Sequence, residues 1–464
     1  MSLKLFNTET RSVDVFKSIE EKKVSMYTCG PTVYHYAHIG NLRTYVFEDI
    51  LKRVLMREGY SINHVMNITD VGHLTDDGDD GDDKMEVGAS REGKTVWEIA
   101  EHYTDAFKND IERLNIIDPD VWCKATDHIK EQIDMVENLG EKGFTYELED
   151  GLYYDISKFT KYGNMAGLDL EGLQAGSRVE QIEGKRNAPD FCVWKKSPKG
   201  TKRLMEWDSP WGKGFPGWHL ECSAMALKYL GKHFDIHCGG VDHVRVHHCN
   251  EIAQTEAVTG QKWVNWWMHG EFLLLDEGKM SKSADNFLTI DGLVKKGYDP
   301  LAFRLYLMSA HYRKALTFTF EALDGSQKAL DRLRSKVTQV KSSIEGQTVD
   351  KYINAFNEAL NDDLNMPVAV SQLWMLLQDE EVSDADKKMT IEDMEKVLQL
   401  DLFKDHQVDE DIDEPAILAL IEERNKAREE KNYARSDEIR DELTSMGIQL
   451  IDGKDGVSFK RIKN

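Results

Sequence analysis

Four residues of this chain have the types and spacing to hold a metal ion. His247 and Glu251 are four apart in His247-His248-Cys249-Asn250-Glu251, and residues four apart on a helix share a face. Two thiols from distant stretches, Cys29 and Cys222, can complete the set. Thiolate, imidazole and carboxylate are ordinary zinc ligands, and four of them make the usual tetrahedral shell. An ion held this way favours a sulfur ligand, because thiolate is a softer donor than hydroxyl. Cys249 is two residues from His247, so on a helix it points away from the His247/Glu251 face.

Two segments with phosphate-handling chemistry flank this cluster. The first is Thr28-Cys29-Gly30-Pro31-Thr32-Val33-Tyr34-His35-Tyr36-Ala37-His38-Ile39-Gly40-Asn41, between an expected strand and an expected helix. Free amides at a helix N-terminus attract phosphate, and the helix dipole adds to this. Gly40 lets a nucleotide approach the backbone closely. His38 can donate to a phosphoryl oxygen as charge develops there. The alternative is a His-rich loop covering a core helix. The second segment, about 240 residues later, is Lys279-Met280-Ser281-Lys282-Ser283. Two lysines around small residues can clamp a triphosphate as point charges; a solvated basic loop is the alternative.

These groups need elements to position them. Lys23–Thr28 and Ser61–Ile68 read as buried strands, about Asn41–Arg57 and Thr104–Leu114 as helices, and Phe234–His237 as a later strand ending in Gly239-Gly240. Strands alternating with helices imply a parallel α/β sheet. The expected order is a nucleotide-binding fold in two halves, 1–127 and 214–262, around an insertion at 128–213. From about 321, Leu330, Leu333, Val337 and Val340 make one apolar helical stripe, and helical patterns run to about 403. Residues 404–414 read as a linker. A helix over about Pro415–Arg435, a second over about Ser436–Met446, and a strand pair, Ile448–Ile451 and Val457–Lys460, close the chain.

Composition bounds the rest. The 464 residues suffice for roughly three or four domains. No apolar run reaches the roughly 20 residues that cross a bilayer, and the N-terminus carries no secretory signal. Six scattered cysteines point to reduced thiols in a cytosol. The net charge of −24 argues against nucleic acid over most of the surface. Residues 421–464, with ten basic and ten acidic residues, are neutral and stand apart. Asp76, Asp77, Asp79, Asp80, Asp82 and Asp83 crowd a Gly-spaced stretch that reads as a solvated, mobile surface insertion.

The chain resembles the class I aminoacyl-tRNA synthetases, and within them the cysteinyl-tRNA synthetases. The resemblance spans nearly the full length. It rests on Cys29-Gly30-Pro31-Thr32-Val33-Tyr34, Asn67-Ile68-Thr69-Asp70, Gly217-Trp218-His219-Leu220-Glu221-Cys222-Ser223, Asp235-Ile236-His237 and the Lys-Met-Ser-Lys-Ser stretch, in the family's order. It implies a Rossmann-like parallel-sheet catalytic domain with a connective insertion. A stem-contact region at 263–320 would follow, then a helical anticodon-binding bundle at 321–403 and a small mixed α/β anticodon-recognition domain at 415–464.

It further implies one zinc ion on Cys29, Cys222, His247 and Glu251. ATP would be bound by His38, Gly40, Asn41, Lys279 and Lys282, with His38, Asn41 and the two lysines catalytic. Cysteine would contact Gly30, Thr69, Trp218, His237 and Asp242, and tRNA would contact Arg428, Tyr433, Asp437 and Asp452. The implied partners are tRNA(Cys), ATP with Mg²⁺, and L-cysteine, with the enzyme a cytoplasmic monomer.

Three departures from the family pattern stand out: Asn41 where His is usual, Cys249 where an acidic residue is common, and the acidic stretch after Asp70. Tyr433 and Phe459 each replace a common Trp. Two rival readings are a ligase joining cysteine to an amino-sugar and a non-catalytic tRNA-binding or cysteine-sensing paralogue. Residues 415–464 oppose the first; His38, Gly40, Lys279 and Lys282 oppose the second.

Overall fold

The computed structural model describes residues 2–73, 83–168, 184–198, 203–275, 288–340, 344–404, 414–430, 432–445, 448–453 and 456–461. Strands β1 (Lys4–Asn7) and β2 (Ser12–Val15) form a short hairpin. The central sheet uses β3 (Lys23–Thr28), β4 (Ser61–Ile68), β5 (Val121–Lys124), β10 (Phe234–Gly240) and β11 (Val264–Gly270), in the order β11-β10-β3-β4-β5. Every pairing in it is parallel. The inner strands are near-continuous runs of buried residues, as expected when helices cover both faces. Between β5 and β10 lies a separate antiparallel sheet of β6 (Thr145–Leu148), β7 (Gly151–Tyr154), β8 (Phe191–Lys196) and β9 (Gly214–Pro216).

Local chemistry sets the helix starts. The Ile39–Arg57 helix opens with a reciprocal cap: the His38 ring accepts from Asn41 N, and Asn41 Oδ1 accepts from His38 N. The next long helix spans Val96–Arg113, so it begins earlier than its expected start at Thr104. A Thr95/Glu98 capping box starts it, and Val96, Ile99, Ala100 and Tyr103 carry the apolar stripe from that start. Asp83, expected in a solvated loop, is buried instead. It caps the Lys84–Glu92 helix and pairs with Arg203. The other aspartates of that stretch, Asp76 to Asp82, lie outside the described residues.

Beyond the sheet, β12 (Leu273–Leu275) pairs with β13 (Leu316–Phe318). Helices Phe320–Gln339, Asp350–Asn361, Met366–Gln378 and Asp384–Leu398 follow and share one apolar core with the first half of the catalytic fold. Arg304 joins the two: it is fully buried, bonded to Asp49 Oδ2 at 2.6 Å and to the carbonyls of Leu114 and Leu398. The chain closes with helices Glu414–Glu429 and Tyr433–Ser445 and the hairpin β14 (Ile448–Gly453) and β15 (Gly456–Arg461). The break between these helices falls before Tyr433, not at Arg435 as expected. Asn432 accepts from Arg435 N and so starts the second helix.

Candidate active site and metal centre

The sheet order reverses between β3 and β10, and ligands of open α/β sheets bind outside the strand ends at that point. Cys29 directly follows β3. Gly30 N donates to Asn67 Oδ1 at 2.8 Å, holding the turn against the end of β4. A Cβ on Gly30 would stand 1.6 Å from the Asn67 carbonyl oxygen, so only glycine fits. Gly30→Ala is expected to cost about 2–3 kcal/mol through overpacking, read as a lower thermal midpoint. An unchanged midpoint would show that the turn relaxes freely.

Cys222 sits on the Trp218–Leu230 helix, while His247 and Glu251 are the first and fifth residues of the His247–Thr259 helix. All four donors are buried, and their ligand atoms lie within 4.8 Å of one another. Cys29, Cys222 and His247 face a cleft of about 420 Å³. Zinc ligand atoms in a tetrahedral shell stand about 3.3–3.8 Å apart. The Cys29 Sγ–Glu251 Oε1 separation of 4.0 Å is close to that spacing. The 2.6 Å His247 Nε2–Glu251 Oε1 contact would open by about 1 Å. This donor set therefore fits a metal ion of zinc's preferences.

The four donors act on one another's protonation. Burial pushes Glu251 up, but His237 and His247 overcome it and hold the carboxyl well below its usual range. Burial pushes His247 down, yet Glu251 and then Cys222 lift it to about 10. Burial and the neighbouring Cys222 push the Cys29 thiol up. A hydrogen bond from Cys29 lowers Cys222, so Cys222 is the more acidic of the pair.

A ring of buried histidines orients this cluster. His219 Nδ1 lies 2.8 Å from His247 Nδ1, which turns His247 Nε2 toward Glu251. His237 Nε2 is 2.6 Å from Glu251 Oε2. His248 Nε2 stands 3.5 Å from Cys29 Sγ, and its other nitrogen meets His269, which in turn meets Thr8 Oγ1. Cys29, His237, His248 and Glu251 form a second overlapping donor group. Sequence reading missed His219, His248 and His269; the His247-His248 doublet was the one local signal. Cys249 donates to the Val244 carbonyl instead, and neither Cys249 nor Cys238 joins a donor group among the described residues.

His38 and Asn41 line the same cleft. Burial lowers the His38 pKa. Its Nδ1 accepts from Asn41 N, which places the ring proton on Nε2. The expected set of free amides is only partly met: Ile39 N donates to the Leu288 carbonyl and Asn41 N to His38. Gly40 lies close against the His38 ring: a Cβ there would stand 2.9 Å from it.

The other expected positions divide. Thr69, Trp218 and Asp242 line the cleft. Thr69 Oγ1 accepts from Asn67, and the Trp218 ring lies 4.5 Å from that of His247. His237 does not reach the cleft wall; it is fully buried behind Glu251. Lys279 and Lys282 lie outside the described residues. Arg428 is exposed on the Glu414–Glu429 helix, and Tyr433 is exposed at the start of the last helix. Asp437 pairs with Arg440 at 3.1 Å, and Asp452 lies on β14 opposite Val457.

Comparison with known proteins places the chain in a family. Residues 15–328 match the family described as tRNA synthetases class I (C) catalytic domain. A cysteine–tRNA ligase of Burkholderia lata is 51% identical over 98% of this chain and 96% of its own. The chain belongs to the cysteine–tRNA ligase family. A second family member, from Treponema denticola, is 46% identical and covers 100% of both chains. Residues 414–459 match the family's cysteinyl-tRNA ligase anticodon binding domain. Among solved structures, methionyl-tRNA synthetase of Mycobacterium tuberculosis bound by methionyl-adenylate superposes with a TM-score of 0.54. It covers 82% of this chain and 90% of its own at 15% identity, so that likeness concerns the fold. Among the described residues, no helix is long and apolar enough to cross a membrane.

Proposed function

We propose that this protein ligates L-cysteine to tRNA(Cys) at the expense of ATP, through a cysteinyl-adenylate and with release of AMP and pyrophosphate. The carrying observation is the convergence of Cys29, Cys222, His247 and Glu251 beneath a cleft whose rim holds His38 and Asn41. Zinc is the ion these four residues would hold, and when bound it supplies a soft centre that prefers thiolate to hydroxyl. Serine and cysteine differ by one atom, and ordinary pocket contacts discriminate poorly between near-isosteres. The Trp218 ring, against His247, offers a sulfur–aromatic contact to the substrate side chain. Asp242 is placed to accept hydrogen bonds at the cleft's edge.

The chain's own residues then position and neutralise. The cysteine carboxylate attacks the α-phosphate of ATP, and His38 Nε2–H donates to the phosphoryl oxygen as charge builds. Asn41 adds an uncharged amide donor. Lys279 and Lys282 act on the pyrophosphate side with Mg²⁺. In the second step the tRNA 3′-terminal hydroxyl takes the acyl group, while Arg428, Tyr433, Asp437 and Asp452 engage the anticodon. The protein works as a cytoplasmic monomer. The deciding experiment is cysteine-dependent ATP–pyrophosphate exchange, with metal analysis, followed by acceptor choice between tRNA(Cys) and an amino-sugar. Exchange without tRNA charging would sink this reading. Lys282→Ala is expected to slow exchange about 100-fold, as for loss of one transition-state donor, with bound metal unchanged. Loss of metal in that variant would show that the two sites are not separate.

A further inference from the structure

The cleft has a wall that the adenylation chemistry leaves unused. The cysteine and phosphate groups cluster at the β3/β10 switch point. Away from it, Tyr36, Tyr103 and Lys84 line the same cleft on the side covered by the Lys84–Glu92 and Val96–Arg113 helices, which lie between β4 and β5 in the chain. Tyr36 is 40% exposed, although its ring is held by neighbours on the Val96–Arg113 helix. It makes a T-shaped contact with Tyr103 at 4.9 Å and 88°, and its hydroxyl lies 3.2 Å from His102 Nε2. His35 stacks parallel on Tyr103 at 5.9 Å. The Tyr36 ring is therefore held in place, and it lines the cleft with part of its surface exposed.

We infer that Tyr36 is the stacking platform for the 3′-terminal adenine of the tRNA acceptor end, with Lys84 facing its phosphate. Three features point to this occupant. A braced, exposed aromatic ring in a cleft that also holds the Lys84 cation fits an unpaired base and its backbone. The wall shares the cleft with His38, where the acyl phosphate forms, so a ribose anchored there reaches the reacting carbonyl. The switch point is already filled by ATP and cysteine, so the nucleoside that enters second has this flank. The step adds no chemistry: the ribose hydroxyl oxygen bonds to the acyl carbon, its proton leaves, and AMP departs with the bonding pair.

This inference rests on the proposed ligase reading, and the test separates the two. Tyr36→Ala and Tyr36→Phe are compared with the unaltered enzyme in ATP–pyrophosphate exchange and in single-turnover acyl transfer from preformed cysteinyl-adenylate to tRNA(Cys). Tyr36→Ala is expected to lower transfer roughly 5- to 100-fold, the range for loss of one base–aromatic stack, with exchange within about twofold of the unaltered enzyme. Tyr36→Phe keeps the ring and restores transfer. A tRNA carrying 2-aminopurine at its 3′ end is expected to show quenched fluorescence on the unaltered enzyme but not on Tyr36→Ala. Equal losses in exchange and transfer would assign the wall to ATP or to fold maintenance and overturn the inference. Unchanged transfer, or a failure of Tyr36→Phe to restore it, would also overturn it. If the unaltered enzyme does not charge tRNA at all, the ligase reading itself falls.

Discussion

Cys222→Ser is expected to abolish cysteine activation while leaving ATP binding intact. Cys222 is fully buried within the donor cluster and is the more acidic of its two thiols. A serine hydroxyl is a hard donor that stays protonated near neutral pH, so the substituted set loses a soft anionic ligand. Removing an outer-shell partner typically costs 10–100-fold in metal affinity, so loss of a direct ligand should cost more, on the order of 1000-fold. Metal content by mass spectrometry should fall, and cysteine-dependent exchange should fall with it. ATP binding by calorimetry should stay within about twofold, because His38 and Asn41 stand on a separate helix. His247→Ala is expected to act in the same direction. Full metal occupancy with unchanged exchange in both variants would refute the assignment.

Arg304→Met should be the most destabilising single change outside the cleft. The guanidinium bonds Asp49 and the carbonyls of Leu114 and Leu398, and neither Arg304 nor Asp49 has any exposed side chain. Methionine is of similar size but removes the guanidinium from Asp49 and leaves the Leu114 and Leu398 carbonyls without it. Breaking a buried pair by removing one partner costs about 3–5 kcal/mol. The thermal midpoint should drop by roughly 5–10 °C. Arg53 and Ile117 N also bond Asp49, so the carboxylate keeps some support. The double change Arg304→Met with Asp49→Leu should therefore be less harmful than the two single changes summed. An additive result would show that the pair is not coupled.

The catalytic fold was legible where local signals were strong. Lys23–Thr28 and Ser61–Ile68 are short β-favouring runs between polar turns, and the strands have those bounds. Helix starts were less legible: the stripe of Val96, Ile99, Ala100 and Tyr103 and its Thr95/Glu98 cap were present in the sequence, but Trp97, Glu98 and Glu101 interrupt the stripe, and it did not stand out as helix. The four metal-type donors could be picked out by residue type and by family resemblance. Their orienting shell could not: His269 and Thr8 meet at 2.7 Å across 261 positions of chain, and no local pattern encodes such a pair. The buried position of Asp83 was hidden for the same reason, since its partner Arg203 is 120 residues away. That β10 would lie beside β3 was also beyond local reading.

That last adjacency shapes how the polypeptide matures during synthesis. Met26 pairs with Ile236, about 210 positions later. At ribosomal speeds of roughly 5–20 residues per second, β3 emerges with one bare edge and waits about 10–40 s for its partner. Until then the nascent N-terminal half exposes an unsatisfied ladder and an apolar face, the kind of edge that invites wrong pairing. Fragments ending before Phe234 are thus expected to be chaperone clients, and the half-built cleft captures no ligand until the delayed strand arrives.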